Sequence, residues 1–157
     1  MKYIFRDENG AFDLTKYEDY LDREREAFVG LIQGPELLLI DRFVPTGPES
    51  FHDARFERLV ATTCASEHEG GEAHTTQLEL RLKGPYFDRH FALRYDGVVS
   101  CSLEMPGPED DLLMHEVRSE EGLLVHELRF DKEKAVEVKC RRIHFSEELA
   151  VDEPSQE

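Results

Sequence analysis

Two histidines and one cysteine in the C-terminal third have residue types that could bind a metal ion. They are His115, His126 and Cys140. Imidazole nitrogens and thiolates are good zinc ligands, and side chains directly opposite each other on paired strands are close enough to share one ion. The three residues are therefore a candidate zinc or small-ligand site, with His144 or Cys101 available as a fourth ligand.

Two other interpretations of the histidines remain open. The spacings typical of zinc sites are absent, because neither His-Glu-x-x-His nor Cys-x-x-Cys occurs in the chain. Two histidines on an apolar strand face are commonly neutral, hydrogen-bonded core residues, or they can line a functional cavity without metal. In either case, burial and mutual repulsion should keep at least one imidazole neutral well below pH 6.5.

The segment that must position these residues runs from Asp111 to Phe145 and reads as three strands joined by two turns. A turn at Ser119–Gly122 sets His115 directly opposite His126. A five-residue loop at Asp131–Ala135 sets Phe130 opposite Val136, and it then sets His126 opposite Cys140. The prediction is a row of His115, His126 and Cys140 across three strands.

Alternation along the first two of these strands predicts one dry face and one wet face. The dry face carries both histidines together with Leu113, Val117, Leu124, Leu128 and Phe130, and the wet face carries Glu116, Arg118, Glu127 and Arg129.

Upstream, the chain from Phe51 onward reads as further strands. The segment from Ala54 to Ala65 is out of phase at Phe56 and Leu59, which indicates a bulge. Leucines at 78, 80 and 82 alternate with polar residues, and Phe87, Phe91, Leu93 and Tyr95 share one face of the next strand. A three-residue loop from Asp96 to Val98, with Gly97 left-handed, predicts a hairpin that pairs Leu93 with Cys101 and Phe91 with Leu103.

One amphipathic helix is expected at about residues 14–30. Its apolar stripe recurs at spacings of three, four and seven, and acidic residues that include Glu24 lie away from the stripe. The predicted fold is mainly β (α+β): an antiparallel sheet of about seven strands, curled into a partial barrel or sandwich, with this helix covering one opening or face. We expect residues 1–146 to form a single domain with strands mainly within 52–145, and residues 147–157 to form an acidic, disordered tail.

The net charge of −16 restricts the partners. Nucleic acids and anionic membrane surfaces bind clustered lysine and arginine, and the sequence has no basic stripe. A basic protein is compatible, because a field of one sign steers association with the opposite sign. Three widely spaced cysteines fit a reducing compartment, and no apolar run is long enough to span a membrane. The expected location is cytoplasmic.

Four segments carry a resemblance to a known group of proteins. They are Phe51-His52-Asp53-Ala54, Leu78-Glu79-Leu80-Arg81-Leu82, Leu93-Arg94-Tyr95-Asp96-Gly97-Val98 and Leu124-Val125-His126-Glu127-Leu128. Their order and spacing resemble small uncharacterised bacterial β-rich proteins, some of which look like immunity proteins of toxin systems. The resemblance covers residues 51–145, and it implies no catalytic residues.

The leading prediction is a non-enzymatic, acidic protein-binding module that neutralises a basic protein, as an immunity protein or antitoxin does. Its predicted contact residues are Glu109, Asp110, Asp111, Glu120 and Glu121. No nucleophile elbow, phosphate loop or dinucleotide-binding turn occurs. The alternative is a metal- or ligand-binding β-barrel, enzymatic or not, that uses the face with His115 and His126. A subunit of a homo-oligomer is the third hypothesis.

Overall fold

The chain is mainly β, with one helix and eight strands in the part that the structure describes. The structure is a computed structural model, and it describes residues 14–28, 48–68 and 71–150. The elements are α1 (Leu14–Phe28), β1 (Arg55–His68), β2 (Gly71–Lys83), β3 (Arg89–Asp96), β4 (Ser100–Leu103), β5 (Leu112–Glu120), β6 (Leu123–Phe130), β7 (Ala135–Cys140) and β8 (Arg142–Leu149). None of the described helices is long and apolar enough to cross a membrane.

The strands form two antiparallel sheets that pack through their apolar faces. The first sheet has the order β1-β2-β3-β8 and the second β4-β7-β6-β5. Side chains of both sheets join one core, as in the edge-to-face contact of Phe56 with Phe130 and the packing of Tyr95 on His126. The predicted mainly antiparallel class is confirmed, but the strands divide between two sheets, and the sheets are not closed into a barrel.

Alternation predicted the buried faces of β2 and β3 correctly, with one exception. The leucines of β2 at 78, 80 and 82 are buried, as are Phe91, Leu93 and Tyr95 of β3. The predicted bulge in β1 lies between Phe56 and Arg58. Phe87 was expected inside and is exposed, because it lies in the β2–β3 loop with a left-handed backbone, between the cationic groups of Arg55 and Lys83.

The predicted hairpin between β3 and β4 is wrong. β3 pairs with β2 on one side and β8 on the other, so Leu93 lies opposite Leu80 and Phe145. Gly97 is left-handed, as expected, but the chain there passes from the first sheet to the second. Burial explains the difference, because β8 supplies the apolar neighbours that the exposed strand β4 cannot.

The segment predicted as three strands contains four. The chain leaves the second sheet after Cys140 and enters the first at Arg142, and the backbone N–H of Arg141 donates to the carbonyl of Asp96 at 3.1 Å. β8 continues to Leu149, so the predicted tail at 147–157 begins with three residues of strand. Residues 29–30 of the predicted helix and residues 151–157 of the tail lie outside the described residues.

The β5–β6 hairpin turns at Glu121 and Gly122 instead of over the four residues Ser119–Gly122. Glu120 therefore pairs with Leu123, and the backbone φ of both turn residues is positive, which is the pattern of a type I′ turn. Relative to the prediction the register slides by two residues. A shift of two preserves which face each side chain occupies, so the predicted dry face survives except at a bulge, where Leu112 replaces Leu113 in the core.

Helix α1 packs against the edge strand β5. The hydroxyl of Tyr20 accepts a hydrogen bond from the backbone N–H of Val117 at 3.1 Å and donates to the carbonyl of the same residue. The carboxylate of Glu24 accepts from the backbone N–H of Ser119 at 2.9 Å. Glu24 was expected to face water and is buried, because its carboxylate satisfies an edge amide of the sheet.

Candidate functional site

The two histidines point into the core between the sheets and contact each other. Nδ1 of His115 and Nε2 of His126 share a hydrogen bond of 3.1 Å, and Nδ1 of His126 shares one of 2.9 Å with the hydroxyl of Tyr95. His115 is 2% exposed and His126 is fully buried. The three side chains form a buried polar chain that links β5 and β6 of the second sheet to β3 of the first.

Burial keeps both imidazoles in the neutral form. Desolvation lowers the pKa of His115 to about 3. Desolvation, together with repulsion from His115, also lowers the pKa of His126 well below its ordinary value. In the shared bond one neutral ring donates its N–H and the other accepts with its unprotonated nitrogen, which two charged rings cannot do because neither has an acceptor nitrogen.

The predicted row of His115, His126 and Cys140 does not form. His115 lies opposite Leu128, whereas Val117 lies opposite His126. On the other side of β6, Val138 faces His126, and Cys140 faces Leu124, because the register of β7 is also shifted by two residues. The two histidines therefore meet diagonally, and Cys140 is displaced along the strand.

The two further ligands considered from the sequence also lie elsewhere. Nε2 of His144 is 2.8 Å from the carboxylate of Asp96, and Cys101 is exposed on β4. Within residues 14–28, 48–68 and 71–150, no group of three or more His, Cys, Asp or Glu side chains could hold a metal ion. The geometry of the described histidine pair is that of a hydrogen-bonded core contact.

A different row crosses the second sheet on its outer face. Glu116 of β5 lies opposite Glu127 of β6, which lies opposite Glu137 of β7, and Ser102 of β4 continues the row. Each histidine at 115 and 126 is followed by a glutamate, so alternation turns the imidazoles inward and these two carboxylates outward. Like charges directly opposite each other on neighbouring strands destabilise a sheet, so this row requires a cation.

Arg118 supplies that cation. Its Nη1 atom lies 3.4 Å from the Glu116 carboxylate and 3.1 Å from that of Glu127, and its Nη2 atom lies 3.1 Å from that of Glu137. Its Nε atom donates to Glu120 at 2.8 Å. The carboxylates hold the guanidinium in the charged form by raising the pKa of Arg118, although burial opposes them.

Among the described residues of this outer face, the carboxylates outnumber the cations. The acidic side chains are Glu104, Glu116, Glu120, Glu127 and Glu137, and the basic ones are Arg118, Arg129 and Lys139. A cleft of about 210 Å³ opens on the face and is lined by Ser102, Glu104, Glu127, Arg129, Ala135 and Glu137. We call these eight charged residues and Ser102 the acidic face. Glu104 is exposed and the side chain of Glu137 is 43% exposed, so both can reach a partner.

The five predicted contact residues do not form one surface. Glu109, Asp110 and Asp111 precede β5, whereas Glu120 and Glu121 lie at its far end, roughly 30 Å away for a strand of nine residues. Asp110 is buried, accepts a hydrogen bond from the backbone N–H of Gly107 at 2.7 Å and pairs with Lys132. The backbone bond and Lys132 lower the pKa of Asp110, with the Lys132 hydrogen bond the largest cause.

Of these five, Glu120 belongs to the acidic face, and Glu121 lies beside it in the turn. Sequence reasoning placed Glu116, Arg118 and Glu127 on the wet face, and it included Glu116 only as part of the acidic segment Glu104–Glu121 that was a contact candidate. The signal was present in the two His-Glu dipeptides, each of which places an imidazole on one face and a carboxylate on the other. Glu137 could not join them until the register of β7 was known.

Comparison with known proteins adds no family to these observations. No family model, no curated protein and no solved structure matches this chain.

Proposed function

We propose that this protein is a non-enzymatic protein-binding module whose acidic face takes a basic protein as its partner. Neutralisation of a basic partner, in the manner of an immunity protein or antitoxin, is the specific form of the proposal. The observation that carries it is the surplus of carboxylates around Arg118, next to a cleft that the exposed side chains of Glu104 and Glu137 can both reach.

The buried part of the face is prearranged, and the exposed part is available. Arg118 fixes Glu116 and Glu127, whose side chains are 0% and 5% exposed, so these carboxylates do not need to be ordered when a partner binds. A lysine or arginine of a partner that enters the cleft would meet Glu104 and Glu137 first. Its positive charge would be attracted to both carboxylates.

The charge of the whole chain acts in the same direction. At −16 the molecule attracts a basic partner over distances comparable with the Debye length, about 8 Å at physiological ionic strength. Such steering raises the association rate more than it slows dissociation. The proposal therefore makes a kinetic prediction, which two charge-reversal variants of equal net charge can test.

The first variant is Glu104→Lys/Glu137→Lys, and the matched control is Glu133→Lys/Glu148→Lys. Glu133 and Glu148 are exposed, lie in the β6–β7 turn and on β8, and are not among the residues of the acidic face or its cleft. Both double variants change the net charge by the same amount, so a difference between them reports the location of the charge and not its total.

A partner is first captured on the immobilised protein from an extract of the cells that produce it, and it is identified by mass spectrometry. Its association rate is then measured by stopped flow over a range of salt concentrations. We expect the first variant to associate with the partner at least about tenfold more slowly than the unmodified protein, with a weaker salt dependence. The association rate of the control variant should fall much less. Equal rates for the two variants, or a partner with an acidic contact surface, would refute the proposal.

The alternative, a ligand- or metal-binding barrel, depended on a closed barrel and on a row of His115, His126 and Cys140, and the described residues form neither. The two sheets are not closed into a barrel, and Cys140 is displaced from the histidines by the register of β7. Nδ1 of His115 and both ring nitrogens of His126 are engaged in hydrogen bonds within the core.

A further inference from the structure

Strand β4 (Ser100–Leu103) is an edge strand whose four residues are all exposed. Among the described strands, β4 pairs only with β7, and backbone hydrogen bonds to β7 hold both ends of β4. The backbone N–H of Val99 donates to the carbonyl of Lys139, and that of Glu104 donates to the carbonyl of Ala135, each at 2.8 Å. Because hydrogen bonds alternate along an antiparallel strand, the N–H and C=O of Leu103 point towards the open side.

The side chains of this edge separate into two rows. Cys101 and Leu103 lie on one side of the strand, Val99 and Met105 flank it, and all four are exposed, from 40% at Leu103 to 61% at Val99. Ser100, Ser102 and Glu104 lie on the other side, where Ser102 and Glu104 line the cleft of the acidic face. One side of the edge is therefore apolar and the other is acidic.

Among the described residues, this edge has one of the usual protections against pairing, the shortness of a four-residue strand, but lacks others. Edge strands are commonly guarded by a lysine, a proline or a bulge, and residues 99–105 contain none of these before Pro106. A peptide that adds to such an edge gains main-chain hydrogen bonds, and its alternating side chains determine specificity. The open edge of β4 thus has the features of a site for strand addition.

We propose that β4 binds an extended segment of a basic partner protein as an additional strand of the second sheet. The segment alternates apolar side chains, which cover Val99, Leu103 and Met105, with lysine or arginine side chains, which face Glu104 and the cleft. This inference rests on the proposed function, since it specifies how the basic partner is held.

A second copy of this chain fits the edge less well. Two β4 strands paired with each other would bring together two acidic faces on molecules that each carry a charge of −16. Repulsion between like charges opposes that contact, whereas a basic strand is attracted to it. Charge complementarity therefore selects a basic segment over a homodimer.

The test uses a synthetic nine-residue peptide of alternating lysine and valine, with the ends blocked. A second peptide has the same composition with the lysines and valines in separate blocks. A third is the alternating peptide with N-methyl groups on every second backbone nitrogen, which removes hydrogen-bond donors. Binding to the full chain is measured by fluorescence anisotropy, and amide hydrogen exchange maps the contact.

The variant is Leu103→Lys, and its matched control is Val60→Lys. Val60 lies on β1, an edge strand of the first sheet, and is 44% exposed against 40% for Leu103. We expect the alternating peptide to bind at least about tenfold more tightly than either other peptide. Leu103→Lys should weaken this binding at least about tenfold, whereas Val60→Lys should change it less than about twofold. The amides of Cys101 and Leu103 should become protected.

Other outcomes overturn the edge proposal in distinguishable ways. Equal binding of the alternating and block peptides, lost in Glu104→Lys/Glu137→Lys but kept in Leu103→Lys, would leave the acidic face as the binding surface and remove β4 from it. No binding of the alternating peptide would refute strand addition. A doubled mass in sedimentation that Leu103→Lys abolishes would assign the edge to a second copy of the chain.

Discussion

At the scale of single residues, Arg118 has the largest expected effect on stability. It is 11% exposed in its side chain and pairs with four carboxylates on three strands, Glu116, Glu120, Glu127 and Glu137. Removing one member of a buried ion pair costs more than the pair contributes, because the remaining charges stay desolvated. In this site the buried carboxylates of Glu116 and Glu127, which lie opposite each other, would lose the guanidinium that both contact.

We predict that Arg118→Met lowers the free energy of unfolding by about 2–4 kcal/mol in urea titration. The control is Arg129→Met, which removes an arginine paired with the same Glu127 but 46% exposed, and it should cost at most about 1 kcal/mol. Adding Glu127→Gln to Arg118→Met should recover part of the loss, because the remaining repulsion falls. If the two substitutions lowered the free energy of unfolding by similar amounts, the row of carboxylates around Arg118 would be exposed to water in solution.

The sequence predicted part of the site at this scale. Alternation was sufficient to put the imidazoles of His115 and His126 on one face and the carboxylates of Glu116 and Glu127 on the other. It did not show that Glu116, Arg118 and Glu127 on the wet face are buried. The hydroxyl of Tyr95 could not be assigned to His126 either, because β3 belongs to the opposite sheet.

At the scale of elements, the turn between β5 and β6 determines which residues meet. The faces of the hairpin depend only on whether the register shifts by an even or an odd number of residues. The two-residue and four-residue turns therefore predict the same faces and different pairs. The sequence pattern could not choose between them, and the positive φ of both Glu121 and Gly122 shows which one the chain adopts.

From the geometry of this turn we predict opposite effects on the free energy of unfolding for substitutions at its two residues. Gly122→Ala should lower the free energy of unfolding by about 1 kcal/mol, because alanine is strained at a φ of +78°. Nothing lies within 4 Å of the added methyl group, so the cost comes from the backbone alone. Glu121→Asn should raise the free energy of unfolding by about 0.5 kcal/mol, since asparagine followed by glycine favours this turn. Chemical denaturation of both variants measures the two shifts, and two shifts of the same sign would contradict a type I′ turn.

At the scale of the whole molecule, strand pairing was the part that local patterns could not supply. A turn at Asp96–Val98 is locally consistent with a β3–β4 hairpin. The chain instead pairs β3 with β8, in which Phe145 lies opposite Leu93. β3 pairs with β8 because this pairing buries apolar side chains of both strands, which are about fifty residues apart in sequence. A local sequence pattern cannot predict a pairing at that separation. The mainly β class could be predicted because it needs only the alternation, not the pairing.

The histidine pair lies where the two sheets meet, so its protonation affects the stability of the whole fold. Burial lowers the pKa of His115 to about 3 and that of His126 well below its ordinary value, whereas both return to about 6.5 on unfolding. Between these values the unfolded chain binds more protons, so the free energy of unfolding falls as pH falls. From pH 6.5 to 5.0 the expected loss is about 1.7 kcal/mol for His115, and His126 adds to it in the same direction.

Urea unfolding at several pH values measures this loss. Between pH 8.0 and 6.5 the rings should contribute much less, about 0.4 kcal/mol each, because they are largely neutral in both states. The double variant His115→Gln/His126→Gln should show a shallower decline below pH 6.5. The imidazole resonances of the unmodified protein give an independent reading if that variant does not fold, and two of them should not shift down to pH 5.0. A stability that stays constant from pH 6.5 to 5.0, or rings that all titrate near pH 6.5, would show that the pair is open to water and does not join the sheets.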